Sequence, residues 1–491
     1  MSSAHQFKSC VATTTSTAGS KAATHLLSKE KIIQDRQKYL AKAQYTFYES
    51  PLMLVRGDKQ YAFDETGKKY LDAYANVAHV GYCHPHVIQA TVDQLQFINS
   101  NTRYLHDKIV RLAEKLTSKM PQKSDLSVCF FVNSGSEAND LAVRLARVYT
   151  ERNTIIALEN SYHGTTGTST GISSSISTGT GDKCPDWDYY ARDVEYVRMP
   201  DMLRGPYKPE RAVEEYVKDF DRVFEKRTKK VCSSSCHKSS SGEEQKHDIA
   251  AFIHESIQGV GGQLPFPSGY LQQVYAKVKG RGGLCIADEV QTGFGRVGSH
   301  YWAFEADGVI PDIVTMGKPF GNGHPLGCVV TTRKIAEAFD KSQYFNTFGG
   351  NPVSCAVGLA VMEVIENENL QQNSLEVGTF LKDGLTKLMK KHKLIGDVRG
   401  RGLFLGVELV KNAHIGDLTP AVQETKYVWE RTKELGVLIG SGGPHKNVLR
   451  IKGPVCLTKE DAQFLIDCVD QALTEAENKD LSSFASKTSK L

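Results

Sequence analysis

The sequence predicts an α/β fold with a mostly parallel sheet, followed by a smaller α+β domain, and three observations carry that prediction. Short apolar runs recur from residue 127 onward and alternate with stretches whose apolar residues fall at helical spacing. Strands alternating with helices in this way build a parallel sheet covered on both faces. Beyond residue 352 the order changes to long amphipathic helices around a Gly-rich hairpin, the mark of a separate domain.

The bulk numbers fit a multi-domain protein. A chain of 491 residues, 40% hydrophobic and 24% charged, is long enough for two or three cores and is not of disordered composition. Its net charge of +4 is small and its basic residues are spread out, so neither a nucleic-acid nor a membrane-surface partner is expected. The eleven cysteines are odd in number, and Cys129, Cys285 and Cys328 sit inside apolar runs. They read as small hydrophobes in a reducing compartment, not as a disulfide framework. No apolar segment approaches the roughly 20 residues that span a bilayer. The protein is expected to be soluble and intracellular.

Residues 1–29 are rich in Ser, Thr and Ala, lack acidic side chains and carry Lys8, Lys21 and Lys29. This suits a mitochondrial transit peptide, which would place the protein in the matrix, or a disordered N-terminus on a cytoplasmic protein. Residues 30–82 are read as a segment joining the small domain, with a helix over 29–42 and a hairpin at Asp64-Glu65-Thr66-Gly67. Residues 83–333 form the expected large domain. In it, helices are predicted over 85–97, 107–118, 137–149 and 270–279, and strands over 127–132, 154–158, 249–257, 284–290, 313–316 and 327–331. Residues 226–247 are polar and Ser-rich and read as a surface insertion. Cys232, Cys236 and His237 within it lack a fourth ligand, so no metal site is assigned. Residues 334–475 make the small domain, with helices over 353–365, 375–392 and 459–475, and 476–491 form a polar tail.

The chemistry-bearing residues cluster at strand ends. Asp288 and Glu289 follow one apolar run, and Lys318 follows another. An acid and an amine at one sheet edge suit pyridoxal phosphate, whose aldehyde takes a lysine as a Schiff base and whose pyridine nitrogen takes a carboxylate. Ser134-Gly135-Ser136, between a strand and a helix, offers N–H groups, hydroxyls and close approach for a phosphate. Ser134 with Glu137 equally makes a capping box. Tyr162, with His163 beside it, follows the next strand and can stack on a flat ring or pack in the core. Glu255 ends another strand, as a hydrogen-bond partner or a solvated acid, and Gln291 could reach the cofactor's phenolic oxygen. Ligands of α/β sheets bind at the carboxyl edge, where all of these fall.

The segments NSGSEAN (133–139), SYHG (161–164), ADEVQTGFGR (287–296), PDIVTMGK (311–318) and NTFGGNP (346–352) resemble the class-III aminotransferase family. The resemblance runs from about residue 45 to 475 and implies a fold-type I pyridoxal phosphate enzyme with a seven-stranded sheet. NVAHVGYCHP, NSNTRYLHD and MGKPFGNGHP look more narrowly like the ethanolamine-phosphate and 5-phosphohydroxy-L-lysine phospho-lyases, also described as alanine–glyoxylate aminotransferase 2-like proteins. By position the resemblance implies Lys318 as the Schiff-base lysine and Asp288 as the pyridinium partner. It further implies Gln291 at the phenolic oxygen, Gly135 and Ser136 at the phosphate, and Tyr162 on the ring. Thr347 would reach the phosphate of a neighbouring subunit, making a homodimer with shared sites, alone or paired into a tetramer. The expected activity is elimination of phosphate and ammonia from O-phosphoethanolamine or 5-phosphohydroxy-L-lysine. Arg103, beside Tyr104, is a candidate for the substrate phosphate, with a surface salt bridge as its alternative. Arg450 falls where the family's aminotransferases bind a carboxylate and phospho-lyases carry lysine, so amino transfer to pyruvate or glyoxylate stays open as the alternative.

Overall fold

The computed structural model describes residues 27–178, 187–233 and 248–481. The chain divides into two compact units, one of residues 1–56 with 63–69, the other of residues 57–62 with 70–491. In the first, helix Lys29–Tyr39 starts at Ser28, whose hydroxyl accepts from the Lys31 amide at 3.2 Å. None of its residues is buried.

The second unit holds the seven-stranded sheet that the family resemblance implied. Its strands are β1 (Leu126–Val132), β2 (Thr154–Leu158), β3 (Val194–Val197), β4 (Ile249–Glu255), β5 (Leu284–Asp288), β6 (Ile313–Met316) and β7 (Gly327–Thr332). They lie in the order β1-β7-β6-β5-β4-β2-β3. Only β7 is reversed: it pairs antiparallel with both β1 and β6, so β1 runs the same way as the other five. The loops after β1, β2, β4, β5 and β6 therefore all leave from one edge.

The apolar runs are continuous because these strands are covered on both faces. Every residue of β2, β4, β5 and β6 is buried. Alternate side chains enter opposite cores. Ile253, Ile286 and Ile313 pack with Leu141, Ala142 and Leu145 of the helix Gly135–Thr150, while Phe252, Cys285 and Val314 join a larger core on the other side. That larger core continues into a second sheet, β8 (Ile395–Arg401), β9 (Phe404–Asn412), β10 (Gly440–Gly442) and β11 (Val448–Ile451), in the order β8-β9-β11-β10. Helices Leu370–Leu388, Val422–Leu435 and Lys459–Asn478 accompany it.

The structure corrects several sequence expectations. Residues 226–233, expected to begin a segment too polar to fold, finish the helix Pro209–Ser233, and Lys226 pairs with Glu195 at 2.7 Å. That helix is held by buried Tyr216, Phe220 and Phe224, whose spacing is masked in the sequence by dense charge. Strand β3 and helix Val422–Leu435 were not expected either. Cys236 and His237 lie outside the described residues, as does the side chain of Cys232 and nearly all of 1–29. Among the described residues no cluster is fit to hold a metal ion, the seven cysteines are free thiols, and no helix is long and apolar enough to cross a membrane.

Candidate active site

A cavity of about 300 Å³ opens at the carboxyl edge of the sheet. Ser134, Gly135, Ser136, Tyr162, His163, Glu255, Asp288, Gln291 and Lys318 all line it. The register explains the meeting: Glu255 of β4 pairs with Asp288 of β5, and Asp288 with Thr315 of β6, three residues before Lys318.

Asp288 is buried and fully engaged. Its Oδ2 accepts from His163 Nδ1 at 2.7 Å and from Asn139 Nδ2 at 2.8 Å, and its Oδ1 accepts from the Val290 amide at 2.9 Å. Burial alone would raise this carboxyl, but the bonds from His163, Val290 and Asn139 outweigh it and hold Asp288 below the usual carboxylate range. Asn139 is itself locked, its oxygen accepting from Thr315 Oγ1 at 2.7 Å and its amide also donating to the His163 carbonyl. Sequence reasoning missed Asn139, although a polar residue 1% exposed inside an otherwise apolar helix face is an anomaly that signals a partner.

The neighbouring acids behave differently. Glu289 points into its own turn, where its carboxylate accepts from Ser256 Oγ at 2.6 Å, Thr292 Oγ1 at 2.8 Å and the Phe304 amide at 2.9 Å; burial pushes it up to about 7. Glu255 accepts from the Tyr162 amide at 3.1 Å and the Gly259 amide at 2.9 Å, and burial raises it too. Lys318 follows β6 after Gly317. Desolvation lowers its amine from the ordinary lysine value, against the pull of Asp288 and Glu255. Its ammonium has no hydrogen-bond or ion-pair partner among the described residues.

The N-terminus of helix Gly135–Thr150 also lines the cavity. Ser134 is its N-cap, accepting from the Glu137 amide at 3.2 Å, but Glu137 Oε2 accepts from the Asn133 amide at 3.2 Å, so only half of the expected capping box forms. A Cβ on Gly135 would stand 2.6 Å from Val290 Cγ1. At Gly164, where φ is +121°, a Cβ would lie 2.2 Å from Ser136 Oγ. A helix N-terminus with two obligatory glycines, an ionised carboxylate and an unpartnered amine fit the three reactive ends of pyridoxal phosphate. Gly164→Ala is accordingly expected to displace Ser136 at a cost of about 1–3 kcal/mol. The checks are a roughly tenfold or greater rise in the cofactor Kd and a lower Tm.

The remaining predicted residues are not on the cavity wall. Arg103 is exposed, its guanidinium 4.0 Å over the Phe345 ring, and among the described residues it has no salt-bridge partner and does not line the cavity. Tyr104 is 72% exposed, and Thr347 is exposed as well. Arg450 donates to Tyr74 Oη at 3.2 Å and the Ser441 carbonyl at 3.0 Å, while its buried Nε has no partner.

Residues 44–473 match the family model described as aminotransferase class-III. The chain is 46% identical to an alanine–glyoxylate aminotransferase 2-like protein of Drosophila melanogaster, over 92% of this chain and 90% of that one. It is 38% identical to ethanolamine-phosphate phospho-lyase homolog 1 of Caenorhabditis elegans, over 94% and 97%. Among solved structures, a phospholyase from Arthrobacter in complex with phosphoethanolamine superposes with a TM-score of 0.81 at 35% identity, covering 90% of this chain and 99% of that one.

Proposed function

The chain belongs to the class-III aminotransferase family, whose enzymes depend on pyridoxal phosphate, and from that premise we propose that it is a phospho-lyase acting on O-phosphoethanolamine or 5-phosphohydroxy-L-lysine. The observation that carries this reading is the likeness, over nearly the whole of both chains, to a phospholyase that holds phosphoethanolamine.

Bound in the cavity, pyridoxal phosphate supplies an electron sink for the pair left when a C–H bond beside the substrate nitrogen breaks. The protein's side chains do the rest. Gly135 and Ser136 hold the cofactor phosphate at the helix N-terminus, and Tyr162 offers its ring face. Asp288, kept ionised by His163 and Asn139, holds a proton at the pyridine nitrogen. Lys318, already lowered by desolvation, takes the proton from the amine-bearing carbon. Phosphate then leaves the adjacent carbon with the C–O bonding pair. The enamine that remains takes up one water to give an aldehyde and ammonia.

Thr347 serves a second copy of the chain in this reading. It lies in an exposed stretch with Phe345 and Phe348, apolar side chains that a dimer interface would cover.

The second reading, amino transfer to pyruvate or glyoxylate, rests on Arg450, whose guanidinium is of the kind that pairs with a substrate carboxylate. Incubating the holoprotein with each phosphorylated amine separates the two. Phosphate, aldehyde and ammonia are expected in equal amounts without any keto acid. Amino transfer to a keto acid with no phosphate release would overturn the lyase reading.

A further inference from the structure

We propose that Lys452 is a positioning residue which, with Asn76, locks the Gln291 side chain so that its NH₂ end is the one presented to a bound cofactor. Lys452 directly follows β11 and is only 6% exposed. Its Nζ donates to Gln291 Oε1 at 2.8 Å and lies 4.8 Å over the Tyr74 ring. Asn76 Nδ2 donates to the same oxygen, also at 2.8 Å. Two donors fill the two lone pairs of that carbonyl, which leaves only the NH₂ to act on a ligand.

The other end of the amide is equally defined. Gln291 Nε2 lies 3.4 Å from Glu255 Oε2, and a Cβ on Gly259 would stand 2.7 Å from it, so the NH₂ fits only beside a glycine. A flipped amide would set NH₂ against the Lys452 and Asn76 donors, and its carbonyl against the Glu255 carboxylate. Asn76 carries an amide that can itself turn over. Lys452 has N–H bonds to offer whether its amine is protonated or neutral and has no carbonyl to turn, and so decides the orientation. Desolvation by burial, with the charges of Arg450, Lys318 and Arg296, pushes its amine well below the ordinary lysine range, an unfavourable place for an amine. An apolar side chain would fill the place without that penalty.

The proposal rests on Gln291 facing bound pyridoxal phosphate, not on which bond the enzyme breaks, so absence of phosphate release would leave it standing. The test uses Lys452→Met, Lys452→Arg and Asn76→Ala, each alone and with Gln291→Ala, reconstituted with pyridoxal phosphate. The readouts are the cofactor Kd by fluorescence, the pH midpoint of the bound cofactor's visible absorption, and the Tm of the apoprotein. Lys452→Met is expected to raise Kd by about 3–10-fold, the worth of one hydrogen bond. It should also raise the midpoint, because a donor at the phenolic oxygen favours the deprotonated form. Lys452→Arg should recover most of both, Asn76→Ala should give a smaller shift in the same direction, and none should add to Gln291→Ala. Unchanged Kd and midpoint, a lowered Tm alone, or an equal shift in the Gln291→Ala background would each overturn the proposal.

Discussion

Lys318→Ala is expected to lower kcat by at least ~10²–10⁴-fold, the usual worth of a positioned acid–base group. Among the described residues no other amine lines the cavity, and the nearby Lys452 amine is engaged with Gln291. The fold should be spared, because the ammonium has no hydrogen-bond partner among the described residues and its loss leaves no buried group orphaned. Steady-state kinetics with a phosphorylated amine and a thermal melt of the same preparation check both halves. A variant that keeps more than about a tenth of wild-type kcat would remove Lys318 from the chemistry.

Asp288→Asn is expected to lower kcat by about 10²–10³-fold, or about 3–4 kcal/mol of transition-state stabilisation. The substitution keeps the shape of the side chain, removes its charge and sets an NH₂ against one of the N–H donors from His163, Asn139 or Val290, so the loss measures the anion together with the acceptor it removes. It also has a pH signature. Because Asp288 is held below its usual range in the folded protein, its contribution to stability is present above the unfolded carboxylate value and is lost as the pH falls through the folded one. The Tm difference between wild type and Asp288→Asn should therefore be widest near neutrality and shrink in acid. A difference that grows as the pH falls would mean that Asp288 is raised, not lowered, on folding.

Much of the site was legible before folding was considered. Buried parallel strands must be apolar throughout, so an acid, a lysine or a tyrosine just past such a run stands out. Asp288, Lys318, Tyr162 and Glu255 all carry that signature and all line one cavity. The Ser134–Ser136 turn was legible for the same reason, because its serines and glycine interrupt a strand-to-helix transition.

Other parts left a weaker trace. The helix Pro209–Ser233 keeps Tyr216, Phe220 and Phe224 on one face, but the surrounding charges obscure the period. Arg103 stood in a motif that suggested substrate phosphate, yet in the folded chain its guanidinium lies over Phe345. Motif spacing reports what is near in sequence. It does not report which way an exposed loop is carried.

What the sequence by itself determined was the α/β sheet, the order of its functional strand ends and the chemical types delivered there, since each follows from local periodicity and from residues that break it. Only the tertiary structure decided how those groups are tuned. Asn139 reaches Asp288 across 149 residues, and Asn76 and Lys452 reach Gln291 across 215 and 161. Those separations have no local pattern, because hydrogen-bond partners brought together by packing need share nothing in sequence. The acid and the lysine could be read from the chain, while the bonds that keep the acid ionised and the amide turned are products of the fold.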